Sequence, residues 1–197
     1  AVDIDGGFEF QPVGVGPTAP WGHLEGARVT AAAQSPYKNL YAAGSHGVNL
    51  PNNAANNALM QSLTPHRTAA GNEQVCFNLD FRVVSAVAGG NGSYRVYLGN
   101  GPGTSAAVEV FMNAGTFVVR NGDAREAVRE LKPGTWYNVQ LVLDLKSKTF
   151  SGTIGVPDDV TTFAARAFAT GWNGNLDYFF VDGYGHIAGP KPEIEVD

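Results

Sequence analysis

The 197-residue chain contains one cysteine, Cys76, so no internal disulfide can staple it and the fold must rest on burial and hydrogen bonding. Charge is scarce. Asp, Glu, Lys and Arg make up 16% of the residues, well under the usual quarter, and only 13 are Lys or Arg. With a net charge of -5, the chain lacks the clustered basic side chains that phosphate contacts demand, which excludes nucleic acid as a partner. No stretch approaches the ~18 apolar residues of a membrane span. No basic-then-apolar leader opens the chain, so it reads as a mature form or an excised domain. Nucleotide cradles and nucleophile elbows are missing too. Gly99-Asn100-Gly101-Pro102-Gly103 is followed by no helical pattern, and no Gly-x-Ser-x-Gly occurs.

What the chain does have is strand patterning. In 136–145, Val139, Leu141, Leu143 and Leu145 alternate with Asn138, Gln140 and Asp144, the period-2 signature of a strand with one buried face. Lys146-Ser147-Lys148 reverses the chain into a second β-rich run, giving a hairpin. The same reading assigns strands to 74–84, 93–98, 106–112, 116–120, 136–145, 149–155 and 176–187, with a short one at Ala27–Ala31. The connectors carry Asn91-Gly92, Asn100-Gly101 and Asn121-Gly122, strong hairpin signals. Residues 125–131 read as one helical turn closed by Pro133-Gly134, residues 158–168 as a loop or short helix, and Glu193–Asp197 as an edge tail. The asparagines at 52, 53, 56 and 57 favour turns with local side-chain hydrogen bonds. The 25 glycines and 11 prolines suit many turns between short strands. The expectation is one all-β domain over 1–197, an antiparallel two-sheet jelly-roll sandwich.

Several segments carry a family resemblance. In order they are Phe8-Glu9, a Gly/Pro loop closing on Trp21, Ser35-Pro36-Tyr37-Lys38-Asn39-Leu40-Tyr41, Cys76 to Phe81, Gly134 to Asp144, and Leu176 to Tyr184. Their succession resembles the concanavalin A-like jelly-roll domains, of the laminin-G-like and carbohydrate-binding kind, in bacterial extracellular proteins. That resemblance implies a secreted or surface location, a concave sheet face that binds a poly- or oligosaccharide, and often a calcium ion tying the chain ends together. The calcium would be held by Glu9 of the opening Phe-Glu and by Asp182 of the final strand, with Gly183 standing where many relatives carry a second Asp. Two carboxylates with backbone carbonyls can supply the oxygens such a hard cation needs.

Sugar sites set aromatic rings against pyranose faces and fix orientation with a few planar polar groups. In Ser93–Leu98 the alternation places Tyr94, Val96 and Leu98 in the core and turns Arg95 and Tyr97 outward, the sharpest binding candidates. Trp172, in Gly171-Trp172-Asn173-Gly174-Asn175, is a third, from a loop. Trp136 is expected to plug the core, Trp21 to cap the sandwich end, and Cys76 to be a small packed thiol rather than a nucleophile. His23, His46 and His66 show no metal-ligand spacing. Glu193-Ile194-Glu195 imitates the alternating acids of glycoside hydrolases but lies outside any central strand. The chain is therefore expected to be a non-catalytic, lectin-like carbohydrate-binding module, possible companion to other domains of a longer protein. An accessory interaction domain and a polysaccharide-active hydrolase or lyase are the alternatives.

Overall fold

The structure, a computed structural model, describes residues 6–37, 44–53, 55–68, 73–85, 92–101, 103, 105–183 and 189–197. Fourteen strands run through them: β1 (Trp21–Leu24), β2 (Arg28–Thr30), β3 (Gly47–Leu50), β4 (Ala58–Thr68), β5 (Gln74–Ser85), β6 (Ser93–Asn100), β7 (Ser105–Asn113), β8 (Thr116–Asn121), β9 (Ala124–Glu130), β10 (Trp136–Asp144), β11 (Thr149–Val156), β12 (Asp159–Ala167), β13 (Asn175–Asp182) and β14 (Glu193–Val196). They form two seven-stranded antiparallel sheets, ordered β1-β4-β13-β6-β7-β8-β9 and β12-β11-β10-β5-β14-β3-β2. The first is called the β6 sheet here and the second the β10 sheet. No helix occurs among the described residues.

Alternation decides what each strand buries. Tyr94, Val96 and Leu98 of β6 face Leu79, Phe81 and Val83 of β5 and Val139, Leu141 and Leu143 of β10 in one continuous cluster between the sheets. Phe81 lies at its centre, stacked 6.0 Å from Phe117 of the opposite sheet and 5.8 Å from Tyr137. The polar side chains between these positions turn to the outer faces.

Three segments differ from the sequence reading. Residues 124–130 form strand β9, not a helical turn, because the two-residue turn Gly122-Asp123 pairs Asn121 with Ala124 and locks the hairpin. Residues 159–167 likewise extend the β10 sheet as β12. Glu193–Val196 lies between β5 and β3 rather than at an edge, with Ile194 and Val196 wholly buried. β9 and β12 are the outermost strands of opposite sheets, and Arg129–Asp159 and Arg166–Glu126 ion pairs, each 2.6 Å, join them. The segment 184–187, expected to prolong β13, lies outside the described residues.

Two aromatic and thiol placements also change. Trp136 is buried but outside the core cluster: Tyr137 takes the inward position, and Trp136 lies under the Arg82 guanidinium on the outer face. Cys76 is exposed rather than packed, because Phe77 and Val75 take the inward positions beside it and its cross-strand partner Val142 is itself exposed. Trp21 caps the interior at one end as expected, its ring 4.8 Å from Phe8 and 5.8 Å from Phe179.

Replacing Phe81 by alanine should cost about 3–5 kcal/mol in urea unfolding, the range for deleting a buried ring. Val142→Ala, on the exposed face of the neighbouring strand β10, should stay within about 0.5 kcal/mol. Equal effects would show that the core is not where the alternation puts it.

Candidate functional site

The outward positions of β13, β6, β7 and β8 carry an unusual density of charge for a chain so poor in it. Register places Asp182 beside Arg95 on adjacent strands, and Phe180 beside Tyr97 beside Glu109. Arg95 donates from Nε to Asp182 Oδ1 at 3.1 Å and from Nη2 to Oδ2 at 2.7 Å, a two-pronged pair. Its Nη1 reaches Glu109 Oε2 at 3.0 Å, and Arg120 Nη1 donates to the other Glu109 oxygen. All four carboxylate oxygens thus accept from guanidinium N–H groups. Side-chain exposures of 12% for Arg95, 9% for Asp182 and 7% for Glu109 put the network largely out of water. Burial works against the Arg95 charge, yet the flanking carboxylates outweigh it and hold its pKa above the ordinary value.

Aromatic rings border this network. Phe180 stacks 5.5 Å from Tyr178 and meets Tyr97 edge-on at 5.6 Å, while Arg95 lies 5.1 Å over the Tyr97 ring. On the far side exposed Arg125 lies 5.2 Å over Phe111. Arg95 and Tyr97 do share one face, as the alternation implied. Tyr97, however, is 1% exposed. Its hydroxyl donates to the Asn100 carbonyl and accepts from the Ser105 amide, so the turn after β6 closes over it. Burial raises its pKa, against the lowering effect of that Ser105 bond, and keeps the phenol protonated. The rings left nearest to solvent are Tyr178 and, less so, Phe180. Gly101 is needed here because a Cβ would overlap the Tyr178 ring.

The third expected contact, Trp172, packs into the core cluster. It meets Phe168 edge-on at 5.0 Å and donates from Nε1 to the Asn175 carbonyl at 2.7 Å. The carboxylates expected to hold calcium are engaged separately. Asp182 is occupied by Arg95, whereas Glu9 accepts from the His46 amide at 2.8 Å. Among the described residues no group of three or more His, Cys, Asp or Glu is gathered for a metal. At Gly183 a Cβ would stand 3.0 Å from the Ala55 carbonyl and 3.1 Å from the Lys191 chain, so a side chain there would fit only if these neighbours shifted slightly. His23 and His46 bond the carbonyls of Pro17 and Phe8, as turn residues do, and the side chain of His66 lies outside the description.

A second polar cluster, not singled out from sequence, occupies the outer face of the β10 sheet. Asp80 and Asp197 exchange backbone hydrogen bonds, and Asn138 donates to Asp80 at 2.7 Å. Burial raises the Asp80 pKa despite hydrogen bonds from Asn138 and Ser35. Burial and the nearby Asp80 and Glu9 charges push Asp197 to about 6. Glu195 pairs with Arg82 at 2.6 Å and Glu193 accepts from Asn49, so the alternating acids of β14 are structural partners.

No known protein-family profile matches the sequence, and no curated protein matches it. Solved structures share its fold. One is a sialidase, at a TM-score of 0.62 and 11% identity over 98% of this chain, which spans only 17% of that protein. Another is a GH131 β-glucanase catalytic domain from Podospora anserina, at 0.60 and 11% identity over 100% of this chain and 93% of that one. A third is the carbohydrate esterase vb_24B_21 from Shiga toxin-encoding bacteriophage phi24B, at 0.56 and 15% identity over 90% of this chain and 87% of that one. Together with the two antiparallel sheets, these likenesses show a β-sandwich of the concanavalin A-like jelly-roll kind.

Three outcomes follow from the geometry. Arg95→Met should cost about 3–5 kcal/mol in urea unfolding, since it removes the guanidinium that the buried Asp182 and Glu109 carboxylates share, and adding Asp182→Asn should recover part of the loss. A cost below about 1 kcal/mol would mean the network is not buried. Calcium at Glu9 and Asp182 requires Arg95 to release Asp182, so the pair as it stands predicts an unchanged Tm on calcium addition or chelation; a calcium-dependent rise abolished by Asp182→Asn would place the ion there. Finally, the folded state holds the Asp197 proton from its ordinary pKa of 3.8 up to about 6. The contribution is therefore full below about pH 4 and lost as pH rises to about 6. Relative to Asp197→Asn, the parent chain should lose stability across that window; parallel pH profiles would contradict the shift.

Proposed function

We propose that the outer face of the β6 sheet binds a glycan, and that the protein is a non-catalytic, lectin-like module acting outside the cell. The observation that carries this reading is the adjacency, on one sheet face, of the Tyr178–Phe180 ring pair and the planar Arg95–Asp182–Glu109–Arg120 network. An aromatic face takes the apolar side of a pyranose, and fixed polar groups beside it select hydroxyl positions. Tyr97 and Phe111 serve as backing, each under a guanidinium. Tyr178, Arg125 and the exposed rim of Arg95 and Arg120 make the contact.

The names of the structures that share the fold support a carbohydrate as partner: sialidase, β-glucanase, carbohydrate esterase. Their activities are a separate matter. Glycoside cleavage needs one carboxyl free to give a proton and a second free to attack or to activate water. Here every oxygen of Asp182 and Glu109 is already spent on a guanidinium, a closed arrangement suited to rigid presentation rather than proton transfer.

On a glycan array, the parent chain should retain at least one class of oligosaccharide. Tyr178→Ala and Arg125→Ala should each weaken that retention about tenfold, with Tm nearly unchanged. Retention that survives both substitutions would remove this face from consideration. Prolonged incubation with the retained glycan should generate no new reducing ends or unsaturated products; their appearance would make the protein an enzyme.

A further inference from the structure

The two sheets do not close on each other everywhere. β14 and the Asp197 that follows it pair with β5 only from Asp80 onward, so residues 74–79 of β5 have no strand partner on that side among the described residues. Behind this gap lies a cavity of about 310 Å³ between the sheets. Its walls are mostly apolar: Leu59 and Leu63 of β4, Val75 and Phe77 of β5, Leu98 of β6, and Phe179 of β13, closed by Phe8 and Trp21, with one buried amide among them, Gln61 of β4. Asn78, Asp197 and Gly6 lie at its margin.

A void of this size is not what close packing leaves behind. Protein interiors reach the density of organic crystals, with few gaps larger than a water molecule. The lining is predominantly apolar, and an engineered apolar cavity of about 150 Å³, half this size, already takes benzene. The rings lining it form a connected series: Phe8 to Trp21 at 4.8 Å, Trp21 to Phe179 at 5.8 Å, and Phe179 to Phe77 at 5.1 Å. Such a series offers faces and edges to a flat aromatic guest. Leu63, Val75 and Phe77 are only partly buried, which marks the side of entry.

We infer that this inter-sheet cavity is a binding site for a small, uncharged aromatic molecule of about two fused rings. The site does not rest on the glycan reading, because its lining points inward between the sheets, whereas the glycan face is the outer face of the β6 sheet. Its occupant is selected chiefly by shape and apolar contact, with the Gln61 amide as the buried polar neighbour, and the partly open side lets a polar substituent remain in water.

N-phenyl-1-naphthylamine titrated into the full chain tests this. Its emission should rise and shift to the blue in a saturable way, and naphthalene should displace it and raise Tm. Leu63→Trp, which fills the cavity from its partly exposed side, should weaken binding at least about tenfold, and Val75→Lys, which sets a charge at the entry, should do the same. Far-ultraviolet spectra matching the parent establish that each variant is folded. Phe10, 96% exposed, and Val15 are the obvious rival surface for the dye, and Phe10→Ser with Val15→Ser should leave binding intact. No saturable signal, or a signal that persists in both cavity variants or is lost with the Phe10 and Val15 changes, overturns the proposal.

Discussion

The outer face of the β6 sheet is organised by the need to keep Arg95, Asp182 and Glu109 paired away from water. A domain of this kind is stable by only about 5–15 kcal/mol, so one stranded charge there consumes a large part of the margin. Each strand that supplies a partner is therefore held in register with the next: β13 by Asp182, β6 by Arg95, β7 by Glu109, β8 by Arg120. The turn after β6 then folds over Tyr97, with Gly101 allowing its backbone to meet Tyr178. Rigidity and ring placement on this face follow from the same ionic arrangement.

The two sheets play unequal parts. In the β10 sheet the outer polar groups, Arg82 with Glu195 and Asp80 with Asn138, hold β14 and the preceding strands together. Across the sandwich edge, ion pairs between β9 and β12 close one side. The opposite end, where β14 stops short of the first residues of β5, holds the inter-sheet cavity. Recognition of a polar polymer on one face and of a small apolar guest between the sheets are thus compatible, because different surfaces of the same strands serve each.

Much of this was legible in the sequence. Strands with a clean apolar alternation, such as β6 and β10, announced both their existence and their inward faces, and Arg95 emerged as an outward residue beside Tyr97. Strands β9 and β12 did not, because as outermost strands they bury little: Arg125, Glu126, Arg129 and Glu130 give no apolar period, and their pairing is fixed by a turn and by ion pairs between sheets. β14 was misread for its position after two prolines, although Ile194 and Val196 carried the alternation. At the site, spacing could show that Arg95 points outward but not that Asp182 and Glu109, 87 and 14 residues away, converge on it. Nor could it show that a turn covers Tyr97. Those facts depend on cross-strand register, which a single strand's pattern does not contain.

The central claim is that the face built around Arg95 receives a carbohydrate. Amide and arginine Nε resonances of the isotope-labelled chain, followed during titration with a retained oligosaccharide, test it most directly. The account predicts that the shifts concentrate on Arg95, Asn100, Gly101, Arg125 and Tyr178 while the β10 sheet stays silent. Shifts confined to Asp80, Asn138 and Glu195, or spread evenly over both sheets, would contradict it.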